Sequence, residues 1–502
     1  MEHTIRSGWL VASLDQTLRD RLLIALFLLA AALFLFVDGR TVPIILWDES
    51  RNAVNALEMR ARGLSVITTY EFQPDHWNTK PPLLIWAMTG SMALFGPSEW
   101  SLRLPSALAA LGTLLCLILF VRKTTGSLGT GLLAATFLLL SPGFFGEHGA
   151  RTGDYDVLLL FFVTAALQLL FLAIHKSKPD ARLLVAAGGL VALAGLTKTI
   201  AAFIPFTGVL AYILASRRWP RLLTQWRAIA LAAAVALAPL LAFYVARSLL
   251  DPGFLSAILY NDMGGRFMEP VTGAPTGSTY YVAELLRGWF FAGPLLLAIP
   301  LAFPQVRGSA RLLLSWSLFV AGGTLLIYSV ASTRLIHYAL PVFPWLAIAV
   351  AISLRTLARR YLRTPWQQGS RLAPIVSTLF IAMLTVQLTA RAAWWRTEGF
   401  PHRQFPPQAA YGDLFEALSA NGLTTVTVVD KGFSGGDRQN YLPLMRVYEL
   451  IWRERGFRVD RRIAMPVRVD KVLASCEPAS RDFWSHPRLL KVLQCGVILP
   501  ER

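Results

Sequence analysis

Asp48 and Glu49 stand side by side in Trp47-Asp48-Glu49-Ser50-Arg51, and farther along the chain Lys80-Pro81-Pro82 supplies an ammonium. Two adjacent carboxylates, a guanidinium and an ammonium are the parts needed to hold a phosphate and move a proton. A carboxylate beside Arg51 and Lys80 stays ionised, because opposite charges lower its pKa, and a general base needs that state. Arginine grips phosphate oxygens in pairs and lysine meets them as a point charge. The two prolines restrict Lys80 to an extended backbone. A plainer reading also fits these residues: Asp48 as a helix cap, Glu49 as a first-turn acid, and two cations that snorkel to lipid head groups.

Further polar residues interrupt apolar surroundings. Arg151-Thr152-Gly153-Asp154-Tyr155-Asp156 precedes an apolar run, and two acids with one arginine exceed what a helix cap requires. Asp154 or Asp156 is therefore a candidate catalytic acid, with the choice between them open. Lys198 lies between two apolar stretches, where a cation is costly without an anionic partner. Arg266 falls in a segment rich in Gly, Pro and Thr, and His337-Tyr338 open another apolar run. Solvated-loop and interface-belt roles are the plain alternatives for these last three.

The chain around these groups is that of a polytopic membrane protein. Of 502 residues, 55% are hydrophobic and only 16% charged, and mean hydropathy is +0.50. The excess of 48 Lys+Arg over 30 Asp+Glu is better explained by basic connectors that set membrane orientation than by nucleic acid. About eleven apolar runs approach the ~20 residues a bilayer-spanning helix needs. They lie near 20–37, 104–121, 129–146, 157–174, 183–197, 199–215, 228–246, 289–305, 312–331, 336–353 and 373–391, and the first reads as an uncleaved anchor. With the N-terminus inside, every inner connector is basic, and all the polar clusters above fall on one outer face. Lys198 then sits in a tight outer turn.

The expected architecture is mainly α, with a membrane domain over 1–392 and a small α/β extracytoplasmic domain over 393–502. Within the first, 38–103 is an outer loop carrying two interfacial helices, 49–62 and 81–95, and 247–288 is a flexible outer flap. Only three cysteines occur, and in an oxidising compartment Cys476 and Cys495 could pair.

The series WDESRNAVNALEM, NTKPPLLIWAMTGSMALFG, EWSLRLPSALAAL, ARTGDYDVLLLFF, GLTKTIAAFIP and RLIHYALPVFPWLAI, ordered over residues 20–355, resembles the GT-C membrane glycosyltransferases. The likeness is to the aminoarabinose transferase (ArnT) and protein O-mannosyltransferase group. That resemblance implies transfer of a sugar from a polyprenyl-phosphate carrier to a lipid, glycan or protein acceptor. It casts Asp48 as the catalytic carboxylate and Asp154 or Asp156 as the second acid. Arg51, Lys80 and Lys198 become lipid-phosphate ligands, Arg266 a further phosphate contact, and His337-Tyr338 an edge of the site, with Glu49 beside them. Aminoarabinose transferases can hold a metal through a Glu before Lys-Pro-Pro and a later outer-loop His. Thr79 stands at the first position here, and 247–288 contains no histidine. No cofactor is thus expected, and a divalent metal lacks support in the sequence.

The expectation is an inverting glycosyltransferase of a bacterial-type inner membrane, its site and C-terminal domain on the periplasmic side and its partners the donor lipid, the acceptor and the bilayer. The rival reading is a transporter or flippase of a lipid-linked anion, which predicts broken helices near mid-membrane and internal pseudo-symmetry; neither is evident. A non-catalytic scaffold leaves the outer charges unexplained.

Overall fold

The computed structural model describes the chain apart from residues 1, 37–42, 261–276, 362–381, 384–385, 387–388, 391–406, 436–437, 478–480, 493 and 501–502. Among the described residues, six helices are long and apolar enough to cross a membrane, or seven if the bent pair over 280–305 is one span. The protein is a multi-pass membrane protein. The run near 373–391 lies largely outside the described residues. The run near 129–146 forms a helix of only 12 residues, Leu128–Leu139, followed by the short Pro142–Phe145 turn.

Helix ends follow local chemistry. Ser98 caps Glu99–Thr125 through a reciprocal capping box with Ser101, and Gly126 closes that helix in the left-handed conformation. The Asp180 carboxylate accepts from the Arg182 and Leu183 amides at the start of Ala181–Phe203. The membrane helices pack closely where side chains are absent. A Cβ on Gly188 would fall 2.4 Å from the Ala232 carbonyl oxygen, so Ala181–Phe203 meets Trp226–Leu250 backbone to backbone. Gly208 and Gly323 do the same for Phe206–Ala215 against Gly308–Val330.

Lys198 sits at a break in the helical run, as expected, but the break is a kink: two helical stretches of Ala181–Phe203 meet at Lys198, which takes the non-helical φ −151° and ψ 83°, and Phe206–Ala215 starts only after 203. The kink places the lysine on the cavity that also holds Asp48.

The segment between the first two apolar runs forms the amphipathic helix Asp48–Arg62, the tiny hairpin β1 (Thr69–Tyr70) and β2 (Gln73–Pro74), and the apolar helix Leu83–Phe95. Near the C-terminus, β3 (Thr425–Val429), β6 (Arg458–Arg462), β7 (Leu473–Ser475), β8 (Leu489–Val492) and β9 (Cys495–Ile498) build one sheet, ordered β6-β3-β7-β9-β8. Its β6-β3-β7 half is parallel and its β7-β9-β8 half antiparallel. A separate hairpin joins β4 (Phe433–Gly435) to β5 (Arg438–Tyr441). Cys476 and Cys495 are joined as a disulfide across β7 and β9.

This C-terminal unit rests on the helix that opens with Asp48. Helix Pro443–Arg453 packs along Asp48–Arg62, and buried Arg446 donates to Glu58 at 3.0 Å. The Tyr448 hydroxyl accepts from the Ile44 amide, and Arg60 pairs with Glu454. The expected boundary at 392/393 lies outside the described residues.

Candidate functional site

Trp47 has φ 76°, a left-handed conformation rarely adopted by a bulky side chain. It breaks the chain direction so that a new helix starts at Asp48. Asp48, 37% exposed, then faces a cavity of about 500 Å³. Its neighbour Glu49 is turned inward. The Glu49 carboxylate takes Arg103 at 2.7 and 2.9 Å and accepts from the Ile45 and Gly153 amides. Glu49 therefore ties three segments together around Asp48, and it lines the cavity beside it.

Arg51 departs from its expected place as a phosphate ligand. Its guanidinium, 3% exposed, donates to both oxygens of Asp75 at 2.6 and 2.7 Å. The Tyr70, Trp77 and Tyr441 rings lie around it at 4.2–5.4 Å, and it is not among the residues lining the cavity. Asp75 also accepts from Asn55 and from the Trp77 and Asn78 amides. Arg51 braces the wall that carries Asp48, and Tyr441 brings the C-terminal unit into that brace.

The second acidic group arrives at the start of Tyr155–Ile174. Asp154 precedes the helix and Asp156 lies in its first turn, and both line the cavity. Asn52 from helix Asp48–Arg62 donates to the Gly153 carbonyl at 3.1 Å, fixing the two acidic segments against each other. Lys198 reaches Asp156 with Nζ–Oδ1 at 2.8 Å and lies 5.1 Å from the Tyr338 ring centre. Lys80 enters between the Trp77 and Tyr155 rings.

His148 fills the middle. Its Nδ1 is 3.6 Å from Asp154 and 3.9 Å from Asp48, and its ring lies 3.9 Å from that of His337. Burial alone would push the His148 imidazole down. The carboxylates of Asp154, Asp48 and Asp156 overcome that and raise it to about 10. Burial raises Glu147 to about 7, with Asp154, Asp48 and Glu49 adding to the rise against the pull of His148.

The polar chamber opens into an apolar trough. Lys80, Asp156, Lys198 and Tyr338 line both, and the trough continues past Leu159, Ile200, Ile204, Ile258 and Tyr328. An anionic head with a hydrocarbon tail matches this shape, with the two lysines at the junction.

Comparison with known proteins agrees with the motif series. The profile of the dolichyl-phosphate-mannose-protein mannosyltransferases matches residues 79–249. An undecaprenyl phosphate-α-4-amino-4-deoxy-L-arabinose arabinosyl transferase of Shewanella sediminis is 26% identical over 348 residues, which are 68% of this chain and 61% of that protein. The chain thus spans about three-fifths of that relative's length. The crystal structure of ArnT from Cupriavidus metallidurans bound to undecaprenyl phosphate superposes with TM-score 0.66 at 17% identity, covering 95% of this chain and 97% of that one. The apo ArnT structure gives 0.55 at 20% identity, covering 86% and 74%.

The chain has the fold of ArnT and is similar in sequence to arabinosyl transferases and protein mannosyltransferases. The structure brings Asp48, Glu49, Lys80, Asp154, Asp156, Lys198, His337 and Tyr338 to one cavity, while Arg51 serves its wall and Arg266 lies outside the described residues. Thr79, the residue before Lys80, is buried. Glu147, His148, Trp77 and Asp75 are functional neighbours that the sequence did not single out. His148 lies only six positions before Asp154 in the same connector. That nearness was the available signal for it. Arg103 stands in the EWSLRLPSALAAL stretch, but its pairing with Glu49 spans 54 residues of chain and left no local signal.

Proposed function

We propose that the protein transfers a sugar from a polyprenyl-phosphate donor to a hydroxyl of a lipid, glycan or protein acceptor, with inversion, at the extracytoplasmic face of a bacterial-type inner membrane. The observation that carries this reading is the junction at Lys80 and Lys198, where a polar chamber holding Asp48 meets an apolar trough. Basic inner connectors support the assigned face.

In the reaction, the acceptor oxygen attacks the anomeric carbon while its proton passes to Asp48. The bond from that carbon to the phosphate oxygen breaks, and the electron pair stays on the phosphate. Lys80 and Lys198 meet the growing negative charge, where partial burial makes fixed cations most effective. When the phosphate arrives, Lys198 exchanges part of its contact with Asp156 for it. Asp154 and His148 hold Asp48 in position from the opposite side. The C-terminal unit supports the same wall through Tyr441 and Arg446.

The test is Asp48→Asn in purified protein in lipid nanodiscs, supplied with polyprenyl-phosphate sugar. Release of polyprenyl phosphate should fall by about 10²–10⁴-fold, the usual contribution of a positioned acid or base, while donor binding persists. Turnover within a fewfold of wild type would remove Asp48 from the mechanism.

A further inference from the structure

The corner that delivers Asp48 is strained. Trp47 takes φ 76° and ψ −106°, a mirror-β conformation that glycine adopts freely and a β-carbon resists. A bulky residue stays there only where its surroundings over-determine it. From the helix side, the Arg51 amide and the Ser50 hydroxyl donate to the Trp47 carbonyl at 2.9 and 3.1 Å. Those bonds fix the start of Asp48–Arg62 and do not place the indole.

The indole is met by the C-terminal unit. The ring of Tyr441, which pairs with Phe433 across the β4–β5 hairpin, lies 5.9 Å from the Trp47 ring at an interplanar angle of 16°, within the ~4.5–7 Å of a favourable aromatic pair. Tyr441 is held in turn by the Tyr70 ring at 5.3 Å and by the Arg51 guanidinium at 5.2 Å. Just upstream of the corner, the Ile44 amide donates to the Tyr448 hydroxyl at 3.2 Å. Two tyrosines of one unit thus grip both ends of the segment 44–47. Helix Pro443–Arg453, which carries Tyr448, is itself tied to Asp48–Arg62 through Arg446 and Glu58. Trp47 and Asp48 line the cavity, whereas Tyr441 and Tyr448 are not among its lining residues.

We propose that Tyr441 is a positioning residue: its stack holds Trp47 in the strained corner and so aims the Asp48 carboxylate, which makes the C-terminal unit part of the active site. The consequence for turnover rests on the role of Asp48 given above. A packing role alone lets loss of the Tyr441 ring lower stability and nothing else. A positioning role lowers kcat with donor binding intact, since a misplacement of about 1 Å can cost ~10²-fold in rate. It also makes the loss depend on the Trp47 side chain, because a glycine reaches the same backbone conformation without support.

The experiment uses the full chain in lipid nanodiscs and two readouts. The first is release of undecaprenyl phosphate from undecaprenyl phosphate-α-4-amino-4-deoxy-L-arabinose. Tyr441→Ala should lower kcat by about 10–100-fold with KM little changed, and Tyr441→Phe, which keeps the ring, should restore it. In a Trp47→Gly background, Tyr441→Ala should cost no more than about twofold further. The second readout needs no turnover: in a Cys116→Ala background, the thiol of Asp48→Cys is modified by a small methanethiosulfonate reagent. Its rate should shift severalfold on adding Tyr441→Ala and stay put on adding Tyr441→Phe. Melting profiles confirm folding, and Tyr441→Leu, which fills the space without a stacking face, takes the place of an alanine variant that unfolds. An unchanged thiol rate in the folded ring-less variant, equal losses in Tyr441→Ala and Tyr441→Phe, or a loss fully additive with Trp47→Gly would overturn the positioning role. A wild type that releases no lipid phosphate counts against the proposed function instead, and the thiol rates still decide this inference.

Discussion

Replacing Arg51 separates two roles that the sequence leaves open. The guanidinium is 3% exposed and Asp75 fully buried, and both bonds between them are 2.7 Å or shorter. Arg51→Met strands a carboxylate in the wall, and Asp75→Asn strands a guanidinium. Breaking a buried pair from one side costs about 3–5 kcal/mol, because the remaining charge is uncompensated. The double variant strands neither, so its loss should fall short of the sum of the two by about 2–3 kcal/mol. Thermal unfolding of the four proteins in one detergent gives the cycle, read alongside binding of undecaprenyl phosphate. Both single variants should melt early and the double should recover part of the loss. An Arg51→Met protein that melts like wild type but no longer binds the lipid phosphate, with additive effects in the double variant, would refute the structural role and restore Arg51 as a phosphate ligand.

Other outcomes follow from the same geometry. Lys198→Met should weaken donor-lipid binding and also destabilise the protein, since Asp156 loses its 2.8 Å partner; the companion Lys198→Met/Asp156→Asn should regain stability without regaining lipid binding, as measured by melting and lipid titration. In the C-terminal unit, burial raises Asp430 to about 6, with Glu477 adding to the rise against hydrogen bonds from Tyr411 and the Gly432 amide. The folded state therefore holds the proton more tightly than the unfolded chain, whose carboxyl titrates near 3.9. Stability conferred by that proton is present below about pH 4 and is lost as pH rises to about 6. Asp430→Asn should raise the melting temperature at pH 8 and little at pH 4, and a uniform shift at both would contradict this. Reduction of Cys476–Cys495, which are 19 residues apart, should destabilise the C-terminal unit by about 3 kcal/mol, seen as earlier proteolysis of that unit under reductant.

What the sequence determined by itself was local. Apolar runs of spanning length and basic connectors identify a multi-pass membrane protein, because burial in lipid depends on composition over some twenty consecutive residues. The ordered motifs placed Asp48, Lys80, Asp154, Asp156, Lys198, His337 and Tyr338 in the right neighbourhood, and all seven line one cavity. The number of spans was less legible: apolar character alone does not distinguish a short helix such as Leu128–Leu139 from a crossing. Tertiary structure alone decided how charges are shared. Arg51 looks like a site residue in a linear pattern, yet Asp75 claims it, and Glu49 lines the cavity while Arg103 holds it. Each partner was unremarkable in its own segment, and the energy of a buried charge depends on what stands within a few ångströms. The same holds for His148, whose meaning comes from Asp48 and His337 converging, from two other segments, on it and its near neighbour Asp154.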